Sequence, residues 1–357
     1  MPNRTSLIRR LADLRRQFTG ETDSTVLPAI SRGGQQLDPV ERALLLGAIC
    51  RDYSARLLGD DHAPPLPGRI RAAVLPDATH PGQVQLEAGI LAALSRALGY
   101  MRLGSPLTAG LAAQPGRALR MVRPQPDELV LHLEPPILAP LMLELLPRIT
   151  SCDTVAGVPG LRARLHRRHI ELYLFGSEPV ATVLLANVSY RQWLAAMAFL
   201  EAARPESDPL RWTSNHPIPL TPEEVSALSS RPRATEYVHL ASAVLRRAWL
   251  LGQTHGLCVQ PEQPDVLHLS WQAGPSAGWV ASRLVHPVVG LLGERFVVTP
   301  HPGGLVSIAA CDQAATLVLQ STPETELAVM PSGTAWGKLW SAWEQAWSTP
   351  NRWMVES

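Results

Sequence analysis

The chain has 357 residues, of which 46% are hydrophobic and 18% are charged, and its formal net charge at pH 7 is +1. This composition indicates a globular protein long enough for two domains and excludes an intrinsically disordered chain. The balance of charges lacks the overall basic character that is typical of nucleic-acid-binding domains. Lys338 is the only lysine, and this bias toward arginine indicates GC-rich coding and a bacterial source.

The four cysteines lie far apart and form no CxxC pair, which predicts free thiols in a reducing cytoplasm and no zinc site. No apolar stretch approaches the roughly 20 residues that span a bilayer, and the N-terminus has no secretory h-region. We therefore expect a cytoplasmic protein without a transmembrane segment. None of the common nucleotide-binding, metal-binding or catalytic motifs occurs, so we expect no cofactor.

Residues 5–18 are predicted to form an amphipathic helix with Arg9 and Arg16 opposite its apolar stripe. Such a helix either covers the core of its own domain or docks on a partner or on anionic lipid. Both interpretations stay open. The stripe residues are candidate partner-binding residues: Leu7, Leu11, Leu14 and Phe18.

The stretch that follows, up to Gln36, is polar and contains Gly33 and Gly34, which are predicted to be turn glycines. Asp38, with Pro39 after it and Glu41 three residues on, predicts a capped helix over about 39–58. Residues 1–70 are thus predicted to be a helical N-terminal extension.

Residues 84–203 and 238–346 match each other in four blocks that occur in the same order. The clearest block is a hairpin that ends at Leu133 and at Leu269. Such an internal repeat predicts two tandem copies of one unit: helix, hairpin, helix, two or three strands, helix. Because short hairpins pair antiparallel, we predict an α+β fold whose copies pack about a pseudo-twofold axis or form two lobes.

The predicted domains are the extension 1–70, a first repeat 71–204, a proline-rich linker 205–220 and a second repeat 221–357. The first helices of the copies are predicted to stop at Gly99 and Gly252. The remaining elements of the first copy are a helix at about 136–149, strands at about 160–166, 168–175 and 180–187, and a helix at 189–203. Thr221 and Pro222 predict a capped helix over 222–230 without a counterpart in the first copy.

The densest cluster of charge is a predicted hairpin with its turn near residues 166–168. Alternation along its first strand puts arginines on one face and Ala163 and Leu165 on the other. The candidate nucleic-acid-binding residues are Arg162, Arg164, His166, Arg167, Arg168 and His169. Arginine binds phosphate through a planar fork of donors. The competing interpretation is an exposed hairpin tip with solubilising charge, since the matching stretch of the second copy is not basic.

His132 and His268 occupy matching positions in the hairpin block, each between leucines that face the other side of its strand. Paired histidines near a pseudo-twofold axis form a metal or pH-sensitive site in one interpretation. In the other they are partly buried, hydrogen-bonded remnants of duplication.

Trp336, Trp340, Trp343 and Trp347 follow one face of a helix near the C-terminus. We predict that this face packs on the sheet of its own copy, as the helix of Trp193 does in the first copy. The competing interpretation is an aromatic surface for a partner, with Trp340 and Trp347 as candidate binding residues.

These observations favour a non-catalytic cytoplasmic protein that binds another protein, as an adaptor, a chaperone-like protein or a structural assembly protein. One alternative is a nucleic-acid-associated regulator that uses the arginine-rich hairpin. The other is an enzyme whose site lies in the cleft between the repeats, where pockets often form.

Overall fold

A computed structural model describes most of the chain, and the described residues form a mixed α+β fold with three sheets. This confirms the predicted fold class. The described ranges are 4–50, 66–101, 119–149, 154–203, 218–230, 236–252, 254–263, 265–291, 296–310, 315–322 and 334–348. Within these ranges, no helix is long and apolar enough to cross a membrane.

The described residues of the N-terminal part form α1 (Arg4–Thr19), α2 (Asp23–Gln36), α3 (Pro39–Cys50) and α4 (Gly68–Ala72). The predicted start of α3 at Pro39 is confirmed, and Asp38 and Glu41 cap this end of the helix reciprocally. The Asp38 N–H donates to Glu41 Oε2 (2.9 Å), and the Glu41 N–H donates to Asp38 Oδ1 (2.8 Å). The predicted continuation of this helix to residue 58 lies outside the described residues.

The interpretation of Gly33 and Gly34 as turn glycines is wrong, because both lie in α2. Val26 and Ile30, one turn apart, are fully buried, so burial of an apolar face stabilises this helix despite its glycines. A Cβ added at Gly33 would lie 2.1 Å from the Ala73 carbonyl oxygen, whereas one at Gly34 would meet nothing within 4 Å. Gly33 is therefore the point at which α2 approaches the backbone after α4.

Replacing Gly33 with alanine is expected to lower the free energy of unfolding by about 1–3 kcal/mol, because the carbonyl in its way belongs to packed backbone. Gly34→Ala is the matched control and is expected to raise it by up to about 1 kcal/mol, as alanine is the better helix former. Urea denaturation measures both. Equal effects of the two changes would contradict the close approach of α2 to Ala73.

The first α+β unit contains two helices around a hairpin, then strands and a final helix. Its elements are α5 (Pro81–Met101), β1 (Leu119–Pro124), β2 (Glu128–Leu133), α6 (Leu138–Leu145), β3 (Arg148–Ile149), β4 (Val155–Ala156), β5 (Leu161–Leu165), β6 (His169–Leu174), β7 (Thr182–Ala186) and α7 (Tyr190–Ala203). The predicted strands and final helix are confirmed. The first helix continues past Gly99, and the middle helix ends at Leu145 because the chain enters β3.

The helix predicted over 222–230 is present as α8 (Pro222–Ser230). The described elements of the second unit follow the same order as those of the first, and no counterpart of the short β3–β4 pair occurs among the described residues. Its elements are α9 (Glu236–Leu245), a 3-10 turn (Ala248–Leu251), β8 (His255–Gln263), β9 (Val266–Gln272), α10 (Ala277–Leu284), β10 (Phe296–His301), β11 (Leu305–Ala310), β12 (Thr316–Thr322) and α11 (Thr334–Ser348).

The two five-stranded sheets have the same strand order. The first is β1-β2-β7-β6-β5, and the second is β8-β9-β12-β11-β10. In each sheet the hairpin strand and the last strand pair in parallel (β2 with β7, β9 with β12), and the other neighbours are antiparallel.

The structure corrects the residue-level match between the two copies. His132 pairs with Ala186, which the gap-free strand match carries to Gln320, but His268 pairs with Val318. The hairpin match and the strand match are therefore out of register with each other by two residues, and the equivalence of the two histidines stays a prediction. Their facing is as predicted: Leu131, Leu133, Leu267 and Leu269 are buried, and both histidines lie on the opposite faces of their strands.

Contacts between the units join corresponding elements. Helix α5 packs on α9, and α7 packs on α11. Helix α5 also contacts β8, while the 3-10 turn after α9 contacts β1, so each unit reaches the first strand of the other.

Candidate functional site

The first strand of the arginine-rich hairpin does not present all its arginines to solvent. Arg162 is only 3% exposed and donates to both carboxylate oxygens of Glu224 in α8, at 2.8 Å each. It also donates to the carbonyls of Ile218 and Pro219. The prediction that Arg162 lies on an exposed basic face is wrong, because its charge is needed to hold the segment before α8 against β5. Leu165, predicted to face the core, is 38% exposed.

Glu224 is the centre of this attachment. It closes a cap with Thr221, whose N–H donates to Oε2 at 3.0 Å, and it accepts the Gly160 N–H at 2.9 Å. Burial alone would raise the pKa of Glu224, but the hydrogen bonds from Arg162, Thr221 and Gly160 and the charge of Arg162 hold it below its ordinary value. Glu224 and Arg162 therefore face each other as a buried ion pair.

Arg164 is exposed, but its charge is matched. It donates to Glu171 Oε1 on β6 (3.1 Å), and its guanidinium lies 4.0 Å from the centre of the Tyr173 ring. Of the six hairpin residues, four remain at the tip with their side chains outward or half-buried: His166, Arg167, Arg168 and His169. The imidazoles of His166 and His169 stack with centroids 4.3 Å apart and planes within 12°.

The apolar stripe of α1 is part of the protein's own core. Leu11 and Phe18 are 3% and 0% exposed, and Leu7 and Leu14 are half-buried against the same core. Helix α1 packs on α2, on the 3-10 turn after α9 and on β1. These contacts occupy the side chains that were candidates for partner binding.

The aromatic face of α11 is buried, but not where the sequence predicts. Trp340 is 1% exposed and Trp343 is 9% exposed. Their helix packs on α7 of the first unit, with the Trp340 and Phe199 rings 4.9 Å apart. The prediction that this face covers the sheet of its own copy is wrong, because contact between corresponding helices of the two units buries it instead. Trp347 is half-buried and stacks on Trp343 at 5.0 Å.

The α5–α9 seam, where the sequence suggests a cleft, contains a buried charged cluster. Glu87 of α5 and Arg246, just after α9, are both 0% exposed and are joined by bonds of 2.6 and 2.8 Å. Ser242 donates to Glu87, and Arg246 donates to the carbonyls of Pro76 and Gln125. These polar groups satisfy one another, so they serve cohesion between the units.

Arg71, in α4, and three residues that follow this helix also form buried or half-buried hydrogen bonds with arginines or carbonyls of other elements. Arg71 donates to the carbonyls of Gly290 and Leu291 (2.5 and 2.6 Å), and Asp77 accepts from Arg247. The carbonyl of Val74 accepts from Arg15 of α1, and that of Pro76 from Arg246. The segment 71–77 therefore ties α1 to the second unit. Sequence reasoning missed it, although arginines and a glutamate inside apolar helical runs were a signal for buried pairs.

Two tryptophans outside the predicted set remain exposed. Trp249, in the 3-10 turn, is 36% exposed, and Trp279, in α10, is 43% exposed. They flank the end of α1: the Trp249 ring lies over Gly20, and Arg283, which stands 5.3 Å from the Trp279 ring, contacts Gln17. We define Trp249, Trp279 and Arg283 as the tryptophan surface. No sequence pattern marked it, because exposure depends on how α1 packs.

In the described part of the chain, no group of three or more histidine, cysteine or carboxylate side chains is arranged to hold a metal ion. Cys50 and Cys258 are free thiols. Comparison of the chain with protein-family models, with curated proteins and with solved structures finds no match.

Proposed function

We propose that this chain is a non-catalytic protein-binding protein: an adaptor, a chaperone-like protein or a structural assembly protein. The observation that carries the proposal is the tryptophan surface. Tryptophan and arginine are among the residues most enriched at binding hot spots, and here both lie together on the surface.

The contrast with the other tryptophans strengthens this reading. Among the tryptophans whose side chains the structure describes, Trp193, Trp271, Trp340 and Trp343 are at most 9% exposed, and Trp347 is half-buried. Trp249 and Trp279 come from different elements of the second unit. Trp249 lies over Gly20 at the end of α1, and Trp279 lies beside Arg283, which contacts Gln17 of α1. Their arrangement suits a partner that contacts the N-terminal helix and the second unit together.

The proposed scaffold is two tandem copies of one α+β unit related by a pseudo-twofold axis. Its support is the shared order of elements, the shared strand order and the reciprocal contacts between corresponding helices. We further propose a bacterial cytoplasmic location, which the arginine bias and the free thiols of Cys50 and Cys258 favour.

The first test compares what co-purifies from the native host with the wild type and with Trp279→Ala. A specific partner should be lost from the variant. The matched control is Val40→Ala/Leu44→Ala, which removes exposed apolar groups of α3 (69% and 47% exposed) on another part of the surface. Retention of every specific partner by Trp279→Ala would count against this surface, and partner loss with the control alone would point to α3.

A further inference from the structure

The tip of the β5–β6 hairpin lies at the end of the first sheet where β2 and β7 also end. His132 of β2 pairs with Ala186 of β7, which pairs with His169 of β6. Their inward neighbours Leu131, Leu185 and Ile170 are buried, so His132 and His169 lie on the outer face. Two strand spacings of about 4.8 Å separate the two histidines.

The stacked pair His166 and His169 forms a flat aromatic platform. Its rings are 4.3 Å apart and nearly parallel, and the His166 side chain is 43% exposed. Histidine is one of the side chains on which unstacked bases of single strands lie. A base placed on His166 would extend the existing stack, because one face of that ring already meets His169.

The platform is bordered by Arg167 and Arg168 and also by Glu171, whose Oε2 lies 3.2 Å from His166 Nε2. Arg167 and Arg168 form the exposed turn between the two stacked histidines. Across the sheet, Arg123 of β1 lies on the same face as His132. Burial, and after it the charges of Arg123 and Arg120, lowers the pKa of His132. Arg120 is itself paired with Glu134 at 2.7 Å.

From this juxtaposition we propose that the outer face of the first sheet binds single-stranded nucleic acid. His166 and His169 stack on a base, and Arg167 and Arg168 contact the neighbouring phosphates. Arg162 takes no part, because it is buried against Glu224, and the charge of Arg164 is matched by Glu171. The site therefore differs from the basic ribbon that the sequence suggests, and it is separate from the tryptophan surface.

Single strands are favoured over duplexes by the same geometry. A stacking platform needs a base whose face is free, and duplex bases are stacked on each other. Two unpaired arginines supply only a short run of phosphate contacts, which suits a few nucleotides of single strand.

The test is fluorescence anisotropy of the full-length protein with a labelled single-stranded oligonucleotide of about 12 nucleotides, and with the matching duplex, over a salt series that starts at about 50 mM. We expect the single strand to bind more tightly than the duplex. Arg167→Gln/Arg168→Gln is expected to flatten the slope of log affinity against log salt by about 1.4, at roughly 0.7 for each lost phosphate contact. His166→Ala/His169→Ala is expected to weaken binding about 10-fold or more without changing the slope.

Two control variants change equivalent side chains elsewhere. Arg9→Gln/Arg32→Gln removes the same charge from exposed positions of α1 and α2, and His239→Ala removes an exposed histidine of α9. Both are expected to bind like the wild type. The proposal is overturned if the wild type does not bind at low salt, if the duplex binds at least as well, or if the controls weaken binding as much as the hairpin variants.

Discussion

Replacing Glu87 with alanine is expected to lower the free energy of unfolding by about 3–5 kcal/mol. Glu87 and Arg246 have no exposed surface, and the carboxylate accepts three hydrogen bonds from Arg246 and Ser242. Without Glu87, the guanidinium of Arg246 stays buried in the α5–α9 seam and keeps only its hydrogen bonds to the carbonyls of Pro76 and Gln125. Urea denaturation, followed by circular dichroism, measures the change.

Asp23→Ala is the matched control, since Asp23 pairs with Arg16 at 2.8 Å on the surface, and it is expected to cost less than about 1 kcal/mol. The double change Glu87→Met/Arg246→Met is expected to recover much of the loss, because it removes both buried charges together. If Glu87→Ala costs no more than the control, the pair is not buried as described.

Replacing Trp340 with alanine is expected to cost about 3–5 kcal/mol, the range for removing a large aromatic group from a core. The ring of Trp340 packs between those of Phe199 and Trp343, with centroids 4.9 and 6.0 Å away. The substitution therefore opens a cavity in the contact between α7 and α11. Thermal or urea unfolding of the full chain measures it.

Tyr190→Ala is the control on the facing helix, because Tyr190 is 55% exposed, and its effect is expected to stay within about 0.5 kcal/mol. A folded Trp340→Ala variant of wild-type stability would contradict the burial of this face between the units.

The order of elements was predictable from sequence because helix caps and strand alternation are local signals. Thr221 and Glu224 form the cap that their spacing predicts, and the leucines beside His132 and His268 face inward as alternation requires. Helix α2 was missed because its glycines and Pro28 oppose a helix locally, and only tertiary burial of Val26 and Ile30 offsets them.

The candidate site was less predictable, because exposure is a property of packing. Arg162 and Arg164 are equally basic in sequence, but only Arg162 is covered by the segment before α8. The element on which α11 packs is likewise decided by how the two units meet. The spacing of its tryptophans predicts a buried face, but it does not tell whether α7 or a sheet covers that face. Register between the copies depends on loop lengths, which is why the hairpin match and the strand match disagree by two residues in the sheet.

The proposal of protein binding is tested most directly by calorimetric titration of a purified, co-purifying partner into three forms of this protein. We predict that Trp279→Ala weakens the affinity about 30-fold or more, since a hot-spot tryptophan contributes at least about 2 kcal/mol, while Val40→Ala/Leu44→Ala binds like the wild type. Equal affinities of the wild type and Trp279→Ala would contradict the account.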